Sequence, residues 1–243
     1  MKQEAYTEMY CVEDEHWWFV TRRMIIKRIL DTLLNYSITP DILEVGCGTG
    51  GNLELLSSYG VIHAIEVDDV ARDLANKRNI CSVKPGSLPK DIPFTKAFNL
   101  ICMLDVLEHI DDDLAAIKAI AGKLKKNGKI LITVPAYMFM WSSHDVALHH
   151  KRRYTKKQLT GVVQSAGLEI IYSTYFNTYL FPLIVLVRIL KNLFGKKDGT
   201  DVTMPSKLMN NLLKKIFYSE RLFIPRMSLP FGISILMMAE KRN

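Results

Sequence analysis

The stretch Asp41–Leu56, DILEVGCGTGGNLELL, places four glycines within six residues, between a short apolar run and a helical pattern. That order describes a strand, a loop whose backbone can approach a nucleotide, and a helix whose first amides face the ligand. Gly46, Gly48 and Gly51 spell G-x-G-x-x-G, the spacing of a dinucleotide loop. Glu44, just ahead of the first glycine, constrains the charge of the guest. A carboxylate there repels a pyrophosphate and attracts a cation; opposite charges ~4 Å apart gain roughly 1–4 kcal/mol in wet or partly buried settings. Glu66 ends the next apolar run, HAIEVDD, where an acid can accept hydrogen bonds from ribose hydroxyls.

Proton-transfer chemistry has candidates in three places. His109 follows the apolar run FNLICMLDVLEHI, His16 opens HWWF, and His144, His149 and His150 lie in WSSHDVALHHKRRYT. His144, Asp145 and His149 offer a base with an orienting carboxylate. The same residues could ligate a metal, but the loop has no second cluster beside it and no metal is expected. Arg152, Arg153 and Tyr154 follow directly, and arginine forks suit a phosphate or carboxylate. Thr155 reads as the cap of the next helix. Near the N-terminus, Trp17, Trp18 and Phe19 are adjacent, so they cannot all face one way on a helix. Trp17 is assigned to covering the pocket and Arg22 or Arg23 to pairing with an anion. Ordinary packing of that helix against the core is the competing expectation.

These residues need a scaffold, and the chain's rhythm describes one. Residues 5–35 read as a helix that SITPD breaks. Strands are expected at 42–45, 61–66, 80–84, 98–104 and 129–134, alternating with helices at 50–58, 69–78 and 110–125. Such alternation implies a parallel sheet with helices on both faces. A long loop, 135–154, leads to a helix near 155–166, a strand in LEIIYSTYF, some fifty helical, basic and apolar residues, and a last strand in GISILMMAEKR, expected at the sheet's edge. The division is an N-terminal helical lid (1–38), an α/β core (39–177), a helical insertion (178–228) and the last strand (229–243).

The charge is unevenly distributed. Residues 1–175 hold 21 Lys/Arg and 21 Asp/Glu, and residues 176–243 hold 11 and 4, so the whole formal excess of +7 lies in the last quarter. An anionic partner for that segment, a membrane surface or a nucleic acid, is implied. Its apolar centre, Tyr179–Leu190, is shorter than the ~20 residues a spanning helix needs and contains Pro182 and Arg188. A core helix and a helix lying in the lipid boundary both remain open. Cys11, Cys47, Cys81 and Cys102 have neither zinc-knuckle nor disulfide spacing, and MKQEAYTEMY lacks an apolar signal core, so a cytoplasmic location is expected.

Four motifs in register, LEVGCGTG, AIEVD, FNLICMLDVLEHI and LKKNGKILITVPAY, resemble the class I S-adenosylmethionine (SAM)-dependent methyltransferases, bacterial ubiquinone-biosynthesis-like and small-molecule enzymes among them. The likeness covers roughly residues 40–175. It implies a Rossmann-like, doubly wound, seven-stranded and mostly parallel sheet with the helical insertion before its last strand. It implies SAM as cofactor, with Glu44, Gly46, Cys47, Gly48 and Gly50 at the methionine end. Glu66 and Val67 would hold the ribose, Ser87 and Leu88 would edge the adenine, and Asp105 and Val106 would lie beside the methionine moiety. Ser87 stands where the family often has an acid. The HWWF opening is similar to that of bacterial enzymes modifying polysaccharides and lipids. The expected activity is methyl transfer to a hydroxyl, or secondarily a carbon, of a small or lipid-linked acceptor, with peripheral membrane contact through 176–226. An RNA or protein methyltransferase and a non-catalytic SAM-binding protein are the alternatives. Nucleic acid is disfavoured because the basic segment is aliphatic rather than rich in stacking aromatics.

Overall fold

In the computed structural model, which describes residues 3–36, 38–193 and 203–242, seven strands form one sheet in the order β3-β2-β1-β4-β5-β7-β6. The strands are β1 (Asp41–Val45), β2 (Val61–Glu66), β3 (Val83–Pro85), β4 (Phe98–Leu104), β5 (Leu124–Pro135), β6 (Glu169–Phe176) and β7 (Ser234–Glu240). β1 to β5 run parallel, and β7 is antiparallel to both β5 and β6. The central strands are apolar throughout; β4, FNLICML, is almost wholly buried, as a strand covered on both faces must be.

The helices cover both faces. They are α1 (Gln3–Val12), α2 (Trp17–Leu33), α3 (Leu53–Ser57), α4 (Asp69–Asn76), α5 (Asp113–Lys123), α6 (Ser143–Ala147), α7 (Lys156–Ser165), α8 (Phe181–Leu193) and α9 (Lys207–Tyr218). On one face Ile117 and Ile120 of α5 and Leu159 and Val163 of α7 pack on β1, β4, β5 and β7. On the other, Ile25, Ile26, Ile29 and Leu30 of α2 and Phe217 of α9 pack on the opposite side chains of the same strands. The sheet is therefore doubly wound, as the alternation implies.

Two expectations are corrected. The last strand is not at the edge: β7 inserts between β5 and β6, and its residues Ser234 to Ala239 are buried. It pairs with β5 on one side and β6 on the other, its apolar faces are covered by helices, and the half-polar β6 is left as the edge. The N-terminal helix is two helices: the first ends at Val12, the chain turns over residues 13–16, and His16 caps the second, its Nδ1 accepting from the Trp18 amide at 3.3 Å.

The break at His16 sets how α2 meets α9. The Trp17 amide donates to Asn210 Oδ1 at 2.8 Å, and Asn210 Nδ2 donates to the Glu15 carbonyl at 3.0 Å. The rings of Trp18, Phe176 of β6 and Phe217 of α9 form a triangle of mutual contacts, with centroids 5.5–6.1 Å apart. Further along, buried Glu220 accepts the Asn177, Thr178 and Tyr179 amides at 2.6–3.0 Å. It thereby satisfies amides ahead of α8 that have no helical partner. Trp18→Ala should lower unfolding stability by about 3 kcal/mol through the cavity it leaves; an unchanged midpoint in urea would show that the stack carries no stability.

Candidate active site

The glycine loop leaves β1 at the C-terminal end of the sheet, beside the first crossover, where α/β folds bind ligands. Gly46, Gly48 and Gly50 all have positive φ (64°, 56° and 82°), so the loop needs their lack of a Cβ for its conformation alone. A Cβ at Gly46 would strike Val106, whereas one at Gly48 would project into open space. Gly48 thus forms a bare cradle, and its amide is aimed at Glu66 Oε2, 2.7 Å away. Glu66 Oε1 accepts the Asp68 amide at 3.0 Å, so both oxygens are oriented by backbone and retain lone pairs for hydroxyl donors.

Gly51, the third glycine of the dinucleotide spacing, serves a different purpose. A Cβ there would collide with the carboxylate of Glu13, which follows α1 and accepts from Thr49 Oγ1 at 2.6 Å and Arg78 Nη2 at 2.7 Å. The glycine admits another acid to the loop, the reverse of what a pyrophosphate requires.

Glu44 is fully buried; its Oε1 accepts from Asn52 Nδ2 at 2.9 Å and its Oε2 has no hydrogen-bond partner. Burial pushes its pKa up to about 7. Asp105, at positive φ (62°) after β4, receives Arg22 Nη2 at 3.0 Å and Thr133 Oγ1 at 2.9 Å. Cys47 is buried under the loop, Val67 is largely exposed at the end of β2, and Leu88 packs on the core beside exposed Ser87. Tyr6 of α1 lies close enough to Glu66 and Asp68 for their charges, added to its burial, to raise its pKa. α1 packs on α4, on the Glu66 side of the cradle.

The remaining expected residues are distributed as follows. Arg23 Nη2 donates to the Glu13 carbonyl at 2.6 Å. Arg152 pairs with Asp113 at 2.9 Å, and Tyr154 donates to the same carboxylate at 2.8 Å. Arg153 is buried and grips Asp145 with two nitrogens at 2.7 and 3.0 Å. Trp17 packs edge-on to Phe217. His144 and His149 do not share Asp145; its imidazole partner is His150, with Nδ1 2.8 Å from Oδ1. Burial disfavours the charge on Asp145, but the bonds from His150 and Arg153 outweigh it and hold the group well below the usual carboxylate range. His149 is exposed at positive φ (57°), and this turn presents His150 to the interior. There the His150 ring meets that of His109 edge-on at 4.7 Å, with the His144 ring 6.4 Å away. Burial, then the neighbouring His150, lowers the His109 pKa to about 4. Glu13, Thr133, Glu108 and His150 are the site residues that motif reading left out of its assignments. Glu108 and His150 stood inside quoted motifs, whereas Glu13 had no local signal.

Five carboxyls (Glu13, Glu44, Glu66, Asp68, Asp105) against Arg22 and Arg78 around a bare glycine loop, on a doubly wound sheet, suit a cationic nucleoside. The comparisons agree. A methyltransferase domain family profile matches residues 17–173, and the chain belongs to that family. Its cofactor is SAM, and it is a SAM-dependent methyltransferase. A SAM-dependent methyltransferase from Thermotoga maritima superposes with a TM-score of 0.60 at 16% identity, covering 100% of both chains. Phosphoethanolamine N-methyltransferase 2 of Haemonchus contortus, in complex with SAM, gives 0.57 at 17% identity over 88% of this chain and 51% of that one. The [4+2]-cyclase SpnF gives 0.55 at 19% identity over 91% and 79%. No curated protein matches the chain.

The residues fit the cofactor. The orphaned Glu44 oxygen and the bare face of Gly48 would receive the methionine end, and Glu66 the ribose. SAM supplies an electrophilic methyl on a sulfonium; when bound, it would lie among these acids, which would orient it for in-line attack. A cationic guest favours ionised Glu44, so SAM affinity should rise with pH through about 7, with a proton released on binding below it. Calorimetry of Glu44→Gln should show weaker binding and a flat profile; a mutant profile as steep as the native one would assign the dependence elsewhere.

Proposed function

We propose that the enzyme transfers the methyl of SAM to a hydroxyl of a small or lipid-linked acceptor at an anionic membrane surface. The observation that carries this reading is α8. Leu183, Leu186, Val187 and Leu190 are each more than two-fifths exposed and recur at the spacing of one helix face. A core helix would bury that stripe; this one presents it. α9 adds exposed Leu208 and Leu212 beside Lys215. Between α2 and the turn after α9 lies a cleft of about 460 Å³ walled by Lys27, Arg28, Arg221 and Arg226, with only Asp31 opposing them. Apolar stripe and cationic cleft together match acyl chains beneath anionic headgroups, with ~1 kcal/mol from each Lys or Arg at the surface. Among the described residues no helix is long and apolar enough to cross a membrane. Part of the basic segment, 194–202, lies outside the described residues.

The hydroxyl preference rests on the imidazoles. His109 and His150 gather beyond Asp105, with Asp145 behind His150 in the arrangement of a base and its orienter. An amine acceptor would need less help in losing a proton. Leu186→Asp with Leu190→Asp should abolish flotation with phosphatidylglycerol vesicles at low salt while leaving SAM affinity unchanged. Native protein that fails to float, or a double variant that floats as well, would remove the membrane from the proposal. Methylated products in lipid extracts incubated with labelled SAM would identify the acceptor, and label found only in RNA or protein would replace it.

A further inference from the structure

The histidine pair has a third member. Glu108 lies on the turn Leu107–His109 that follows β4, fully buried, and neither of its carboxylate oxygens has a hydrogen-bond partner. Its Oε1 is 4.0 Å from His150 Nε2, too far for a hydrogen bond. One ligand atom from each of Glu108, His109 and His150 lies within 4.8 Å of the other two. A buried acid with nothing donating to it, facing two imidazoles, is a set of donors without a shared acid. We propose that Glu108, His109 and His150 bind a divalent cation that takes nitrogen and oxygen ligands together, of the zinc or manganese kind.

The surroundings are those of a held ligand set. His150 turns its other nitrogen to Asp145, whose own position is fixed by Arg153 and by the Ser142 amide at 2.9 Å. A carboxylate behind a ligating imidazole sets its tautomer and raises its basicity. The His109 ring stands edge-on to that of His150 at 4.7 Å, so the two imidazoles face the same space. The two chain segments are tied together at the site, the Lys151 amide donating to the Glu108 carbonyl at 2.8 Å. Ligands about 2.0–2.1 Å from an ion stand closer than 4.8 Å to one another, so binding draws the three side chains inward. Two nitrogens and one carboxylate suit zinc or manganese better than magnesium or calcium, which prefer all-oxygen sets. Three protein ligands leave a coordination position open. The cluster adjoins Asp105, which acts electrostatically on Glu108, and so flanks the cofactor pocket. An acceptor hydroxyl in the open position would lose its proton more readily, the ion then doing what the free imidazole would do without it; this role rests on the hydroxyl reading above, but the binding of the ion does not.

The test needs neither SAM nor acceptor, so its failure is distinct from failure of the proposed function. Full-length protein stripped with a chelator is titrated with Mn²⁺ and the free ion is read by electron paramagnetic resonance. The expected result is one Mn²⁺ per chain, displaced by Zn²⁺, with affinity reduced at least about 10-fold in Glu108→Gln and His150→Gln and about 10–100-fold in Asp145→Asn. His63→Ala, on β2 away from the cluster, should bind as the native chain does. Native protein that takes up neither ion stoichiometrically would overturn the proposal. So would uptake that Glu108→Gln and His150→Gln, shown folded by circular dichroism, leave undiminished.

Discussion

The structure depends on keeping several carboxylates close together at one end of a sheet. Like charges at such separations repel, and the fold answers with backbone donors and two arginines rather than with solvent. Glu66 is held by the Gly48 and Asp68 amides, Asp105 by Arg22 and Thr133, and Glu13 by Thr49 and Arg78. Of these four acids, Glu44 alone keeps a buried oxygen without a partner, and its raised pKa follows from that burial. An unsatisfied acid in that place would gain a partner from a cationic guest. The same arrangement makes native stability depend on pH. Glu44 and Glu220 both have folded pKa values near 7, so each binds a proton more tightly folded than unfolded. Between the ordinary carboxylate range and about pH 7 their contribution falls as pH rises.

The N-terminal helices belong to this pocket as much as to the core. Arg22 reaches from α2 to Asp105, Glu13 reaches from the end of α1 to the glycine loop, and the aromatic stack at Trp18 fixes the helix that carries Arg22. Packing and electrostatics are therefore coupled: loosening α2 from α9 would withdraw the guanidinium that neutralises Asp105.

Much of this was legible in the sequence. The parallel strands β1 to β5 and the two-sided helical cover followed from apolar runs alternating with helical periods, and Glu44 and the glycines gave the charge of the guest. The position of β7 was not legible, because chain order does not encode lateral order; only burial on both faces of SILMMAE hinted at an interior place. His150 was hidden behind His149 because a single left-handed residue decides which of two neighbours faces inward. Arg22 and Arg153 read as sites for an anionic ligand, and both instead meet internal acids from distant elements. Glu13 was silent for the same reason, since its partners come from another part of the chain. The stripe on α8 was visible as apolar sequence, but its exposure needed the fold.

The central claim is that the acid-lined cradle selects a positively charged nucleoside over a dinucleotide whose phosphates carry negative charge. Parallel calorimetric titrations of the native chain with SAM and with NAD, in one buffer at neutral pH, test it most directly. Saturable heat with SAM and none with NAD is the predicted outcome; tight uptake of NAD without SAM binding would contradict the account.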